Sequence, residues 1–241
     1  MDVELFIPCF IDQVFPQTAV NTLRILEKVG CTVHYNPKQT CCGQPAFTAG
    51  FWDDAKDVAE KCIHDLHHDR PIVSPSASCA GMIKNYYEDL FKNTALHNQY
   101  RTMQKNTFEL SDFLVNFLKI TDIGARLEGK ASYHDSCAGL REYGIKREPR
   151  ELLKKVKGLE LLEMEDTETC CGFGGSFAVK FESISSSLAQ NKAERALEAG
   201  AEYLISTDAS CLMHVDGFIQ KNNLPLKTMH LADVLTSGWP S

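Results

Sequence analysis

The chain lacks a surplus of basic residues: 25 Lys and Arg stand against 32 Asp and Glu, for a net charge of −7. A nucleic-acid binder needs a basic face to displace counterions, so this balance argues against that class. No apolar run approaches the roughly 20 residues that cross a bilayer. The opening Met1-Asp2-Val3-Glu4-Leu5-Phe6-Ile7 is acidic and lacks the basic n-region of a secretory leader, and the expectation is a soluble cytoplasmic protein. There is no C-x-x-C pair, the usual signature of a thiol–disulfide enzyme. Gly172-Phe173-Gly174-Gly175 has neither the G-x-G-x-x-G spacing nor a P-loop Lys, and nothing resembles a flavin or nicotinamide site. At 44% hydrophobic and 24% charged, the 241 residues read as globular and long enough for one or two cores.

Cysteine is what the chain has. There are ten: Cys9, Cys31, Cys41, Cys42, Cys62, Cys79, Cys137, Cys170, Cys171 and Cys211. Thiols stay reduced in the cytosol, so this count points to metal or redox chemistry and not to a disulfide scaffold. Cys9 is followed by the pair Cys41-Cys42 and then Cys79; Cys137 is followed at similar spacings by Cys170-Cys171 and Cys211. Both pairs run into glycine, Gly43 and Gly172. Ser76-Ala77-Ser78-Cys79 resembles Asp208-Ala209-Ser210-Cys211, and the stretch from Thr107 to Leu114 matches that from Thr228 to Leu235. A tandem duplication accounts for this, with a boundary near residues 120–128 and half-domains at 1–122 and 123–241.

Each half reads as α/β. Short apolar runs at 3–7, 31–35, 71–74, 131–133, 159–162 and 203–206 predict strands, and helical periodicity predicts helices near 18–29, 149–156 and 184–199. Ala55, Val58, Ala59, Cys62 and Leu66 form a further helical stripe. Alternation of this kind implies two tandem Rossmann-like half-domains, each a mostly parallel sheet with flanking helices. Cys9, Cys79, Cys137 and Cys211 then sit at strand ends, on the rim where such sheets bind ligands, and the two Cys-Cys-Gly turns lie on the same rim. Each half is expected to gather four thiolates. Cys31 and Cys62 read as core.

Four thiolates suit tetrahedral zinc or an iron–sulfur cluster. Structural zinc favours pairs two to four residues apart, whereas adjacent side chains diverge and suit the larger cluster, so iron–sulfur is preferred and zinc stays open. Three functions follow: an electron carrier, a zinc-stabilised scaffold, or a thiol–disulfide oxidoreductase.

The doubled C…CCG…C pattern resembles the cysteine-rich CCG domain found in heterodisulfide reductase and in the iron–sulfur subunits of glycolate and glycerol-3-phosphate dehydrogenases. Over residues 3–236 the chain is similar to the lactate utilisation protein A (LutA/YkgE) family. The matching stretches are Cys41-Cys42-Gly43-Gln44-Pro45-Ala46, Val73-Ser74-Pro75-Ser76, Cys170-Cys171-Gly172-Phe173-Gly174-Gly175 and Cys211-Leu212-Met213. The resemblance implies a component of a cytoplasmic system that oxidises L-lactate, a 2-hydroxy acid, to pyruvate. It also implies a ferredoxin-like iron–sulfur partner and a LutC-type partner. One [4Fe–4S] cluster per half would rest on Cys9, Cys41, Cys42 and Cys79, and on Cys137, Cys170, Cys171 and Cys211.

The match has one departure. In the cysteine-rich chain of heterodisulfide reductase each motif ends in C-x-x-C and five thiolates hold a non-cubane cluster; here the fifth positions are Met82 and His214. Four ligands suffice for a cubane. Met82 reads as packing, and His214 is a candidate metal ligand. His134 is either a hydrogen-bond donor to a sulfur or a satisfied strand-end residue. His67-His68 and the basic residues Lys146-Arg147 and Lys154-Lys155 are assigned no chemistry.

Overall fold

Ile72, Val73 and Ser74 are buried without alternation, as happens when helices cover both faces of a parallel strand. The computed structural model describes residues 1–66 and 69–240, so His67-His68 lie outside the described residues. The first sheet contains β1 (Asp2–Leu5), β2 (Thr32–His34), β3 (Ile72–Ser74) and β4 (Thr107–Glu109), parallel and in the order β2-β1-β3-β4. The second repeats the plan with β5 (Arg126–Tyr133), β6 (Lys157–Leu161), β7 (Tyr203–Ser206) and β8 (Lys227–His230), in the order β6-β5-β7-β8. The α/β reading with two pseudo-repeated parallel sheets is therefore correct. In both, the chain leaves the central strand to one side and returns on the other, so the switch point lies between β1 and β3 and between β5 and β7.

The first half carries α1 (Cys9–Val14), α2 (Pro16–Lys28), α3 (Gln44–Thr48), α4 (Trp52–Leu66), α5 (Ala77–Gly81), α6 (Tyr87–Phe91), α7 (His97–Asn106) and α8 (Leu110–Asp112). The second carries α9 (Arg147–Leu153), α10 (Ser176–Lys180), α11 (Glu182–Glu198), α12 (Ala209–Lys221) and α13 (Leu231–Thr236). Pro16 begins α2, where its missing N–H costs nothing. Helix α4 buries Ala55, Ala59, Cys62, Ile63 and Leu66, the stripe expected from periodicity. Among the described residues, three segments are π-helical: Met82–Tyr86 continues α5, Phe113–Phe117 continues α8, and Ala138–Tyr143 comes after β5.

Strands β4 and β8 escaped the periodicity reading, although the repeat that contains them did not. Each ends in a residue that caps the next helix. The Glu109 carboxyl group accepts from the Ser111 and Asp112 amides, and His230 Nδ1 accepts from the Ala232 amide at 3.1 Å. These final helices dock on the opposite half. Thr18 and Asn21 of α2 both donate to Asp233 of α13 at 2.8 Å, while Asn116, beyond α8, donates to Glu148 of α9 at 2.9 Å. The two halves thus share a central core that runs from Val3, Leu5, Ile25 and Phe113 to Tyr133, Leu152, Ile205 and Leu235. Burying each such side chain contributes about 1.5–3 kcal/mol, which makes this seam a large part of the stability. Two outer cores lie beyond it, one under each cysteine group.

Small residues let the seam close. Ala77 and Gly81 of α5 pack on the segment Ala138–Tyr143, and a Cβ on Gly139 would stand 3.3 Å from Ala77 Cβ. Buried Asp208 ties three loops together by accepting from Ser78 Oγ at 2.6 Å and Ser136 Oγ at 2.7 Å.

Candidate metal centres at the strand ends

Cys9 follows β1 through Pro8 and opens α1; Cys79 follows β3 within α5, where Ser76 Oγ caps its amide. Between them in space comes the Cys41-Cys42 turn. Its shape depends on Gly43, which has φ +84° and approaches α4 so closely that a Cβ would stand 2.9 Å from the Ala55 carbonyl oxygen. Gly172 repeats this after Cys170-Cys171, with φ +94° and a Cβ position that collides with the Ser185 carbonyl. In each turn the glycine amide points at the first sulfur of the pair: Gly43 N to Cys41 Sγ at 3.4 Å, Gly172 N to Cys170 Sγ at 3.3 Å.

All ten cysteines are free thiols. Cys9 Sγ and Cys41 Sγ are 3.6 Å apart, and Cys42 bridges from Cys41 to Cys79. The second half repeats the chain of contacts, with Cys170 between Cys137 and Cys171, and Cys171 against Cys211. Exposure repeats as well. Cys9, Cys41, Cys137 and Cys170 are half-buried, whereas Cys42, Cys79, Cys171 and Cys211 are buried. Cys31 is buried in the central core, and Cys62 is buried in the first outer core behind Cys42 and Cys79, outside the chain of sulfur contacts.

Such crowding leaves each group one favoured thiolate. Thiol donors Cys42 and Cys9 pull Cys41 down to about 3, and donors Cys137 and Cys171 pull Cys170 down to about 2. Their neighbours Cys9, Cys42, Cys137 and Cys171 are pushed well up, because giving up their shared protons would place like charges side by side. A cation supplies what these sulfurs lack, since metal binding releases thiol protons and screens thiolate repulsion. The donor set therefore fits a thiophilic metal or cluster.

The two halves differ behind the sulfurs. The sequence Phe6-Ile7-Pro8-Cys9 corresponds to His134-Asp135-Ser136-Cys137, so a fully buried Phe6 stands where the second half has His134. His134 is 1% exposed, and among the described residues neither ring nitrogen has a partner in hydrogen-bond geometry. Leaving a buried polar group unpaired costs roughly 1–3 kcal/mol. Burial pushes the His134 pKa down to about 4, with Lys192 adding to the effect and Asp135 and the Thr167 backbone opposing it, so the ring is neutral. Its nitrogen lies with Cys171 Sγ and Cys211 Sγ in a group whose atoms are all within 4.8 Å of one another.

Lys192 is the second difference. Matching the contacts of Gly43 to Ala55 and of Gly172 to Ser185 sets Lys192 opposite Cys62. Lys192 is fully buried and donates to the carbonyls of Asp166 at 2.6 Å and Thr167 at 3.2 Å. Burial lowers its pKa, while Cys171 and Asp166 act in the opposite direction. The sequence reading did not find this residue, yet a signal was present: Ser185, Ala189, Lys192, Ala193 and Ala196 form one buried stripe with a lysine inside it.

His214 lies on α12, beside Ser185 and the Cys-Cys-Gly turn. Its Nε2 meets Ser185 Oγ at 3.0 Å and the Ser185 carbonyl at 3.3 Å, beside the Phe173 ring. Met82 is buried in the outer core with Cys42 and Cys79. Lys146 and Arg147 pair with Glu168 and Glu151 on an exposed face.

Residues 3–84 and 131–216 match a family described as a cysteine-rich domain (CCG). Lactate utilization protein A of Geobacillus sp. (strain WCH70) is 40% identical over 237 residues, covering 98% of this chain and 100% of that protein. The protein of the same description from Halalkalibacterium halodurans is 43% identical over 235 residues, covering 98% and 96%. Among solved structures, a hypothetical protein from Helicobacter pylori shares the fold with a TM-score of 0.61 at 11% identity, covering 100% of this chain and 49% of that one. With both cysteine-rich domains matched and relatives aligned over nearly its whole length, the chain belongs to the lactate utilization protein A family.

Proposed function

We propose that the chain is the iron–sulfur electron-transfer component of a cytoplasmic system that oxidises L-lactate. Cys9, Cys41, Cys42 and Cys79 would hold one [4Fe–4S] cluster, and Cys137, Cys170, Cys171 and Cys211 the other. The observation that carries this reading is the repeated chain of sulfur contacts in which a half-buried cysteine leads to a buried one at pseudo-equivalent strand ends. A bound cluster of this kind supplies one-electron transfer at a potential set by its ligands, hydrogen bonds and burial.

The protein's own part is to hold and insulate. The outer cores keep water from Cys42, Cys79, Cys171 and Cys211. The Gly43 and Gly172 amides donate toward sulfur, and Cys9, Cys41, Cys137 and Cys170 face the surface side, where an electron enters or leaves. Exposed apolar side chains follow each Cys-Cys-Gly turn: Phe51 and Trp52 in the first half, Val179, Phe181 and Ile184 in the second. Such patches mark contact surfaces, here for the ferredoxin-like and LutC-type partners of the system. Among the described residues no helix is long and apolar enough to cross a membrane.

The test is anaerobic iron and sulfide analysis with EPR on wild type and Cys171→Ser. The expected result is brown protein with about four irons per quartet, falling by half in the variant. Colourless protein with near-zero iron overturns the proposal, and zinc in its place supports a zinc-binding scaffold. Thiol–disulfide activity that survives metal removal would make the chain a heterodisulfide-reductase-like oxidoreductase.

A further inference from the structure

We infer that His134 is a nitrogen ligand of the second centre, a fifth beside Cys137, Cys170, Cys171 and Cys211, which makes the two centres chemically unlike: four sulfurs in the first half, four sulfurs and an imidazole in the second. The inference rests on the second quartet holding a metal, as proposed above. Three observations carry it. Both ring nitrogens are buried, and among the described residues neither meets a partner in hydrogen-bond geometry, although the Thr167 backbone stands close enough to act on the ring. The ring lies with Cys171 and Cys211, all three ligand atoms falling within 4.8 Å of one another.

The third observation is that the backbone aims the ring. His134 N donates to the Ile205 carbonyl at 2.8 Å, and Ser206 Oγ donates to the His134 carbonyl at 3.1 Å. On its far side Asp135 receives Arg150 through two bonds of 2.8 and 2.7 Å, and Ser136 is held by Asp208. A backbone held this firmly, carrying a buried ring whose nitrogens meet no partner in hydrogen-bond geometry, is preorganised for a ligand. The first half offers no equivalent, because Phe6 fills that place. His214, three residues beyond Cys211, already has Ser185 as its partner.

The test is pulsed EPR on reduced protein reconstituted with ferrous iron and sulfide and carrying ¹⁵N-labelled histidine. A Cys42→Ser background removes the first centre's signal. The expected result is a ¹⁵N coupling in that background, lost in His134→Phe, retained in His214→Phe, and absent from the first centre observed alone in Cys171→Ser. His134→Cys should keep the second centre's iron without the coupling, which separates loss of a ligand from loss of the fold. Absence of a nitrogen coupling in an otherwise wild-type second centre overturns the inference, as does a coupling that survives His134→Phe. If Cys171→Ser loses iron while no nitrogen is seen, only the role of His134 falls. If neither cysteine variant changes the iron content, the quartets fall and His134 with them.

Discussion

The rings of Phe10 and Phe173 meet edge-on across the seam, with centroids 5.5 Å apart and planes at 85°. Phe10 directly follows Cys9, and Phe173 is two residues past Cys171, so a contact between the halves joins the edges of the two candidate centres. An edge-to-face pair of this kind is worth about 0.5–1.5 kcal/mol beyond its buried area. A double-mutant cycle with Phe10→Leu and Phe173→Leu, read by urea unfolding of the anaerobic protein, should return a coupling energy in that range. Strict additivity would show that the contact is incidental.

Gly172→Ala should cost far more than Gly30→Ala. Both positions have positive φ, which penalises alanine by about 1–2 kcal/mol. Among the described residues, nothing stands within 4 Å of a Cβ on Gly30, whereas one on Gly172 collides with the Ser185 carbonyl and Leu188. Iron content of the second centre should fall in Gly172→Ala and stay unchanged in Gly30→Ala. Equal melting temperatures for the two variants would contradict the close approach of the turn to α11.

Glu109 makes stability pH-dependent. Burial raises its pKa from 4.5 to about 8, against hydrogen bonds from Ser111 and Asp112 that work the other way. Because the folded chain binds this proton more tightly, the contribution is complete below pH 4.5 and is lost as pH rises through 8. Glu109→Gln should therefore gain on wild type steadily between about pH 4.5 and 8, by a few kcal/mol at most. Unfolding free energies measured at about pH 5, 7 and 8.5 test this, and a constant difference between variant and wild type would refute it.

Lys192 places a cation beside the second sulfur group, where the first half has neutral Cys62. A buried positive charge favours the state that holds one more electron. On the iron–sulfur reading, Lys192→Met should lower the second centre's reduction potential and leave the first unchanged. EPR-monitored redox titration distinguishes the two signals. An unchanged second potential would mean that the carbonyls of Asp166 and Thr167 already neutralise the charge.

Asp208 should prove costly to replace. Asp208→Ala leaves the hydroxyls of half-buried Ser78 and buried Ser136 without their shared acceptor, at roughly 1–3 kcal/mol in all. Both serines flank candidate ligands, so the melting temperature and the iron content of both centres should fall together. A loss confined to one centre would show that the tie across the seam is not what matters.

Much of the architecture was legible from local order. The repeat of C…CCG…C, the strand runs ahead of Cys9, Cys79, Cys137 and Cys211, and the α4 stripe all depend on neighbours a few positions apart, which periodicity reports directly. The strands β4 and β8 were not, because Thr107-Phe108-Glu109 and Lys227-Thr228-Met229-His230 mix polar and apolar residues and owe their pairing to β3 and β7. Nor did the chain show that α13 of one half docks on α2 of the other, a contact across more than 200 residues that only matching shapes select. The sequence alone determined which sulfurs exist, how they are spaced and on which strand ends they fall. Tertiary structure decided their surroundings: a lysine and an unpaired histidine behind one group, phenylalanine and a spare thiol behind the other. Burial is a property of the packed chain, and it is burial beside the second group of sulfurs that sets Lys192 and His134 apart from ordinary polar residues.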